Sequence, residues 1–133
     1  MDKLVPGLMG EFQTEVTEAN TAKHLGSGNV EVFATPEMVR LMERAGVAAV
    51  DHLLPEGQRT VGVHLDVKHL AATPMGMTVT ARAELLSVEG RRLVFRVEAF
   101  DEVEKVGEGT HQRYIVDVTR FRQRVEEKRR TML

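Results

Sequence analysis

The sequence predicts an α+β domain in which a curved antiparallel sheet of about five strands wraps around one long helix. Three observations carry this: one strong helical pattern beginning at Thr35, an alternating apolar and polar run from Arg59 to Leu70, and three further alternating segments joined by short turns. Short links between successive strands favour antiparallel neighbours. A sheet that covers one helix leaves its outer strand edges and the helix ends open, which invites a second copy of the chain.

The elements follow in order. Phe12, Thr14 and Val16 alternate with Glu11, Gln13, Glu15 and Thr17, a first strand with one wet face. The Gly-rich stretch His24–Asn29 has no Gly-Lys-Ser/Thr ending, so it is no phosphate-cradling loop, and reads as a mobile connection. Thr35 suits the N-cap of the helix, Pro36 the first helical position, and Glu37 the positive helix start. Met38, Leu41, Met42, Ala45, Ala48, Ala49 and His52 form one face of about five turns, ending before Pro55. The small residues Ala45-Gly46-Val47-Ala48-Ala49 let another backbone approach closely. In the next strand, Val61, Val63, Leu65, Val67 and His69 share one side. An imidazole closing an apolar row sits where burial tunes its pKa. After a break at Ala72–Gly76 come Val79/Ala81/Ala83/Leu85, Leu93/Phe95/Val97/Ala99 and Tyr114/Val116/Val118, each alternating with polar or outward positions.

The 133 residues suit a single domain spanning 1–133, with 42% hydrophobic and 29% charged residues. A net charge of −2 gives no general attraction to nucleic acid. Charge is uneven, however. The tail 120–133 holds six basic and two acidic residues, a net +4 that leaves −6 elsewhere, and reads as a solvated terminal helix able to help hold a polyanionic ligand. The absence of cysteine excludes disulfides, thiolate zinc sites and a cysteine nucleophile. No apolar run reaches the roughly 20 residues of a membrane span, and residues 1–7 lack the apolar core of a signal peptide, so a cytoplasmic protein is expected. His64 and His69 lie five apart and face opposite ways in a regular strand, which argues against a metal pair. Ser27 and Ser87 are the only serines and neither lies in a nucleophile elbow.

The order strand, long helix, four-strand meander matches the hotdog fold. The segments Glu31–Thr35, Leu41–Glu43, Val67–Gly76, Ser87–Leu93 and Gly109–Arg113 resemble, in the same order, the fluoroacetyl-CoA thioesterase family. The resemblance runs from about Thr21 to Lys128. It implies a hydrolase for a small or short acyl thioester, needing no metal or redox cofactor, with Thr35, Glu43 and His69 as the catalytic set. It also implies Gly62 and Arg113 as residues that handle substrate, with His111 a lesser candidate. The basic charge of Arg113 and of the tail would suit the phosphates of coenzyme A. One departure is plain: Leu25–Glu31, where the family carries lid phenylalanines, is shorter and has no aromatic residue, so selectivity for fluoroacetate is not carried over.

Taken singly, each residue has a plainer reading. Thr35 is a cap, Glu43 a solvated helix residue, His69 a structural imidazole, Gly62 a bulge or a close approach, and Arg113 a surface cation. Eight residues of helix separate Thr35 from Glu43, about 12 Å at 1.5 Å per residue, too far for both to touch one carbonyl. A site composed at a homodimer interface, with Glu43 and Thr35 from different chains, is therefore expected, with dimer and tetramer both open. The rival readings are a hotdog enoyl-CoA hydratase, whose Asp/His motif is absent, and a non-catalytic acyl-CoA binder.

Overall fold

The computed structural model describes residues 3–132. Strands β1 (Met9–Glu15), β2 (Gln58–His69), β3 (Thr78–Glu89), β4 (Arg92–Phe100) and β5 (Lys105–Asp117) form one antiparallel sheet in the order β1-β3-β4-β5-β2. The helices are α1 (Ala22–Leu25), α2 (Thr35–Val50) and α3 (Val118–Arg130). A 3-10 turn, Asp51–Leu53, extends the end of α2 to just short of Pro55, where the sequence stops it. The β3–β4 turn uses Gly90 at φ +64°, a conformation an L side chain resists.

The helix buries Met38, Leu41, Met42, Ala45, Ala49 and Val50 in a core shared with Val79, Ala81, Ala83 and Leu85 of β3 and Leu93, Phe95 and Val97 of β4. The small-residue stretch does admit a close backbone. A Cβ at Gly10 of β1 would overlap the helix main chain at Ala45 and Ala49, so glycine there sets how near strand and helix lie. The apolar face differs from expectation at two places. Ala48 and His52 are exposed, and Gly46 is buried instead, because α2 lies chiefly over β1 and β3 and turns Gly46 toward Arg113 and His111.

Strand β2 departs most from its sequence pattern. Its register against β5 shifts between Gly62 and His64, leaving Val63 as an inserted residue. Thr60 pairs with buried Ile115 and Gly62 with buried Arg113. Beyond the shift, Leu65, Val67 and His69 pair with His111, Gly109 and Gly107. The inner face is therefore Thr60, Gly62, Leu65, Val67 and His69. Val61 and Val63 do not belong to it, and Val63 is 56% exposed. β2 has one neighbour only and forms an open edge of the sheet.

Two other expectations change in detail. The Gly-rich connection starts inside a helix, since His24 and Leu25 close α1, with Gly26 as its left-handed C-cap. The tail is a solvated helix as expected: Asp117 caps α3 through the Arg120 N–H at 3.0 Å, and none of its residues is buried. No helix among the described residues is long and apolar enough to cross a membrane.

Candidate active site

Thr35 is positioned by the extended residues before it. The Ala22 N–H donates to the Val32 carbonyl, Phe33 N–H to that of Thr73, and Ala34 N–H to that of Asn20, all at 2.8–3.0 Å. Both anchors are themselves fixed. Asn20 bonds the backbone at Glu15 and Thr17, and buried Thr73 donates its hydroxyl to Asp101 at 2.9 Å. Thr35 is not the N-cap. Ala34 holds that position without a side-chain cap, and Thr35 is the first helical residue. Its hydroxyl lies 2.7 Å from Nδ1 of His69, 34 residues along the chain. That contact replaces the cap the sequence suggests.

His69 closes β2, and the next residue, Leu70, donates its N–H to the Val106 carbonyl at 2.7 Å. Burial lowers the His69 pKa, with a smaller opposing effect from the Ala71 backbone. The ring is thus neutral at pH 7. Its Nε2 is buried and has no hydrogen-bond partner among the described residues. Thr35 and His69 line a cleft of about 370 Å³ whose other walls include Ala22, Ser27, Val32 and Ala71. The segment between α1 and α2 contributes Ser27, Val32 and Phe33 to this cleft, while the stretch Leu25–Glu31 itself adds no aromatic residue.

A second cluster surrounds Glu43. Its Oε2 lies 3.8 Å from Nη1 of Arg113. A Cβ on Gly62 would come within 2.5 Å of that oxygen, 3.2 Å of His111 and 3.3 Å of Arg113, so the glycine gives the carboxylate its room. Arg113 is 5% exposed. Its Nε donates to the Thr60 hydroxyl at 2.8 Å, Nη2 to the Thr60 carbonyl at 3.0 Å, and Nη1 faces His111 Nε2 at 3.1 Å. Arginine only donates, so His111 Nε2 accepts and its protonated Nδ1 donates to the His64 carbonyl at 2.8 Å. Burial, reinforced by the guanidinium, lowers the His111 pKa and holds it neutral.

These placements revise three expectations. Arg113 is no surface cation: it is buried, and three of its five N–H donors go to Thr60 and His111. His111 is fully buried, stacked on Phe95 at 6.1 Å, and lines no open surface. Gly62 meets both of its single-residue readings, standing beside the bulge and permitting a close approach. The residues that sequence reasoning passed over are Thr60 and Asp51. The Asp51 carboxylate accepts from the Thr60 hydroxyl at 2.5 Å and its N–H at 3.2 Å. Asp51 could have been noticed, because a carboxylate at the C-terminus of a helix opposes the helix dipole and needs a reason to be there.

The structure thus joins Thr35 to His69, and Glu43 to Gly62, Arg113 and His111. No hydrogen bond or ion pair connects the two clusters among the described residues. His64 faces away from His69, and no group of three or more described His, Asp or Glu side chains is arranged to hold a metal ion.

The profile of the fluoroacetyl-CoA-specific thioesterases matches residues 16–119. The fluoroacetyl-CoA thioesterase of Streptantibioticus cattleyicolor is 50% identical over 98 residues, 74% of this chain and 70% of that protein. A crystal structure of a phenylalanine-to-alanine mutant of a fluoroacetyl-CoA-specific thioesterase is 41% identical, with a TM-score of 0.88 over 96% of this chain and 99% of that one. The same mutant in complex with fluoroacetate and CoA gives 42% and 0.83 over 89% and 99%. A thioesterase superfamily member from Thermus thermophilus gives 31% and 0.88 over 98% and 99%. The fold is therefore the hotdog thioesterase fold, and the chain belongs to the fluoroacetyl-CoA-specific thioesterase family and is a thioester hydrolase.

Proposed function

We propose that the enzyme hydrolyses a small acyl-CoA to the free acid and coenzyme A in a site shared by two copies of the chain. The observation that supports this most is the split of the matched catalytic set: Thr35 and His69 form one pair, and Glu43 stands apart from them beside Arg113. The open edge of β2 supplies a way to reunite them. Two β2 edges pairing antiparallel would run Gly62→His69 against His69→Gly62, bringing the Thr35–His69 end of one copy toward Glu43 of the other.

In that arrangement the Thr35 hydroxyl and the positive start of α2 stabilise the oxyanion that forms as the thioester carbonyl is attacked. Glu43 either takes a proton from the attacking water or attacks the carbonyl carbon itself, giving an anhydride that water then opens. Neutral His69 relays the proton to the departing thiolate. The likeness to a fluoroacetyl-CoA thioesterase supports a small acyl group, and the stretch Leu25–Glu31, with no aromatic residue, speaks against selectivity for fluoroacetate. No metal or redox group takes part, and the cytoplasm is the expected setting.

Thiol release across a panel of acyl-CoAs, with and without EDTA, tests the reaction. Turnover on short acyl chains that ignores the chelator supports it. Tight binding without turnover on any thioester means a binder, and hydration of an enoyl-CoA means a hydratase. Mixing Thr35→Ala chains with Glu43→Gln chains tests the shared site. Activity recovered in the hybrid supports it, and none recovered in hybrids shown to form overturns it.

A further inference from the structure

We infer that Asp51, acting through Thr60 and Arg113, is a positioning residue that keeps the Glu43 carboxylate in a loose ion pair with a cation without letting the two close into a hydrogen bond. The inference rests on Glu43 being the base or nucleophile proposed above.

The chain of contacts is continuous. Asp51 accepts from both the hydroxyl and the N–H of Thr60. The Thr60 hydroxyl has one proton, which goes to Asp51, so it meets Arg113 Nε as an acceptor. Thr60 therefore takes two guanidinium bonds, through Oγ1 and its carbonyl, and fixes the plane of the fork. The third bond goes to His111, itself tied to the His64 carbonyl. Glu43 then sits 3.8 Å from Nη1, beyond hydrogen-bond length.

That gap is the functional point. A carboxylate locked onto a guanidinium by two short bonds is a poor base and a poor nucleophile, since its lone pairs are committed and its negative charge is compensated. Here the buried guanidinium already has a counter-charge. Burial pulls the Arg113 pKa down, and Asp51, ahead of Glu43, opposes that loss of charge. The charged and titratable groups that face Glu43 and its guanidinium are Arg113 and His111 on β5 and Asp51 at the end of α2, with the His64 backbone of β2 holding His111 in place. Asp51 is the one among them that draws the guanidinium away from Glu43.

The test compares Asp51→Asn, Thr60→Val and Thr60→Ser, following thioester hydrolysis against pH and checking folding by thermal melting. In Asp51→Asn and Thr60→Val the guanidinium turns to Glu43. The expected result is a fall of about ten-fold or more in kcat with KM changed less than about two-fold, and an acidic limb of the kcat/KM profile displaced to lower pH. Thr60→Ser keeps the hydroxyl and restores most of kcat and the original limb. A wild-type pH profile in folded Asp51→Asn, or Thr60→Ser behaving like Thr60→Val, overturns the inference. If Asp51→Asn does not fold, the two Thr60 variants decide alone. An inactive wild-type enzyme on every thioester would instead sink the proposed reaction, so the two failures are distinguishable.

Discussion

The two clusters on the inner face of the sheet are built in opposite ways. Around Glu43, each neighbour is buried and spoken for: Arg113 by Thr60 and His111, His111 by the His64 carbonyl, Thr60 by Asp51. Around Thr35 there is one side-chain contact, to His69, at the mouth of a cleft, and His69 Nε2 has no partner within the described chain. Burial without a partner normally costs a polar group more than a hydrogen bond is worth. The first cluster is complete within one chain. The second leaves an imidazole nitrogen unmet among the described residues, and the difference teaches that one subunit satisfies the groups around Glu43 internally while its hydroxyl–imidazole pair keeps a bonding position open.

The comparison is broken most sharply by removing the group each cluster serves. Glu43→Gln and His69→Ala are each expected to lower kcat by about 10²–10⁴-fold, the range of a lost acid–base group. Glu43→Gln should leave substrate affinity nearly intact, because it keeps the shape of the pocket; equilibrium binding of a non-hydrolysable thioester analogue checks this. Equal rates in wild type and either variant would remove the matched residues from the chemistry.

A subtler change acts on the room that Gly62 provides. Its Cβ in Gly62→Ala would stand 2.5 Å from Glu43 Oε2, so the carboxylate must shift by several tenths of an ångström. A displacement of that order is expected to cost about 10–100-fold in kcat, with a smaller loss of thermal stability, since the closest atom is the end of a flexible side chain and His111 and Arg113 need give only slightly. Stability falling without a rate loss would make Gly62 a packing residue only.

The smallest expected effect is on acid stability. Burial lowers the pKa of His111 and of His69 in the folded state, so the unfolded chain takes up their protons first on acidification. Their contribution is complete above about pH 6.5 and is lost as pH falls through the lowered folded values, by at most about 1.4 kcal/mol per pH unit for His111. His111→Gln can still accept from Arg113 and has no proton to gain, so its urea-unfolding free energy should fall less steeply between about pH 6.5 and 5 than that of wild type. Parallel curves would mean that His111 takes no part.

Much of this was legible in the sequence, and the exceptions share one cause. Periodicity located α2 and all five strands because it reports burial against a nearby core. Thr35 and His69 were both singled out, His69 by its place at the end of an apolar row and both by likeness to a family, but their contact across 34 residues was not foreseen. What local pattern could not show was competition from distant groups. Thr35 has the composition of a cap, and its hydroxyl is taken by an imidazole from β2. Ala48 has the spacing of a core residue, and the helix is rotated by its seat on β1 and β3. Arg113 has the look of a surface cation in an alternating strand, yet Thr60, another strand position, supplies its acceptors. Asp51 and Thr60 gave no motif at all, because their meaning lies in a chain of contacts crossing three elements.

The inserted Val63 has a consequence of its own. Gly62 and His69 are seven positions apart, an odd number, so an ideal pleat would send them to opposite sides of the sheet. One surplus residue resets the phase of the strand, and both ends of β2 come to serve the same interior. The strand thereby offers two working faces as one, at the cost of a valine left in solvent. Excising that valine would leave the two ends six positions apart, an even number, so the regular strand would still turn both toward the interior; a second inserted residue between them is what would send one end away.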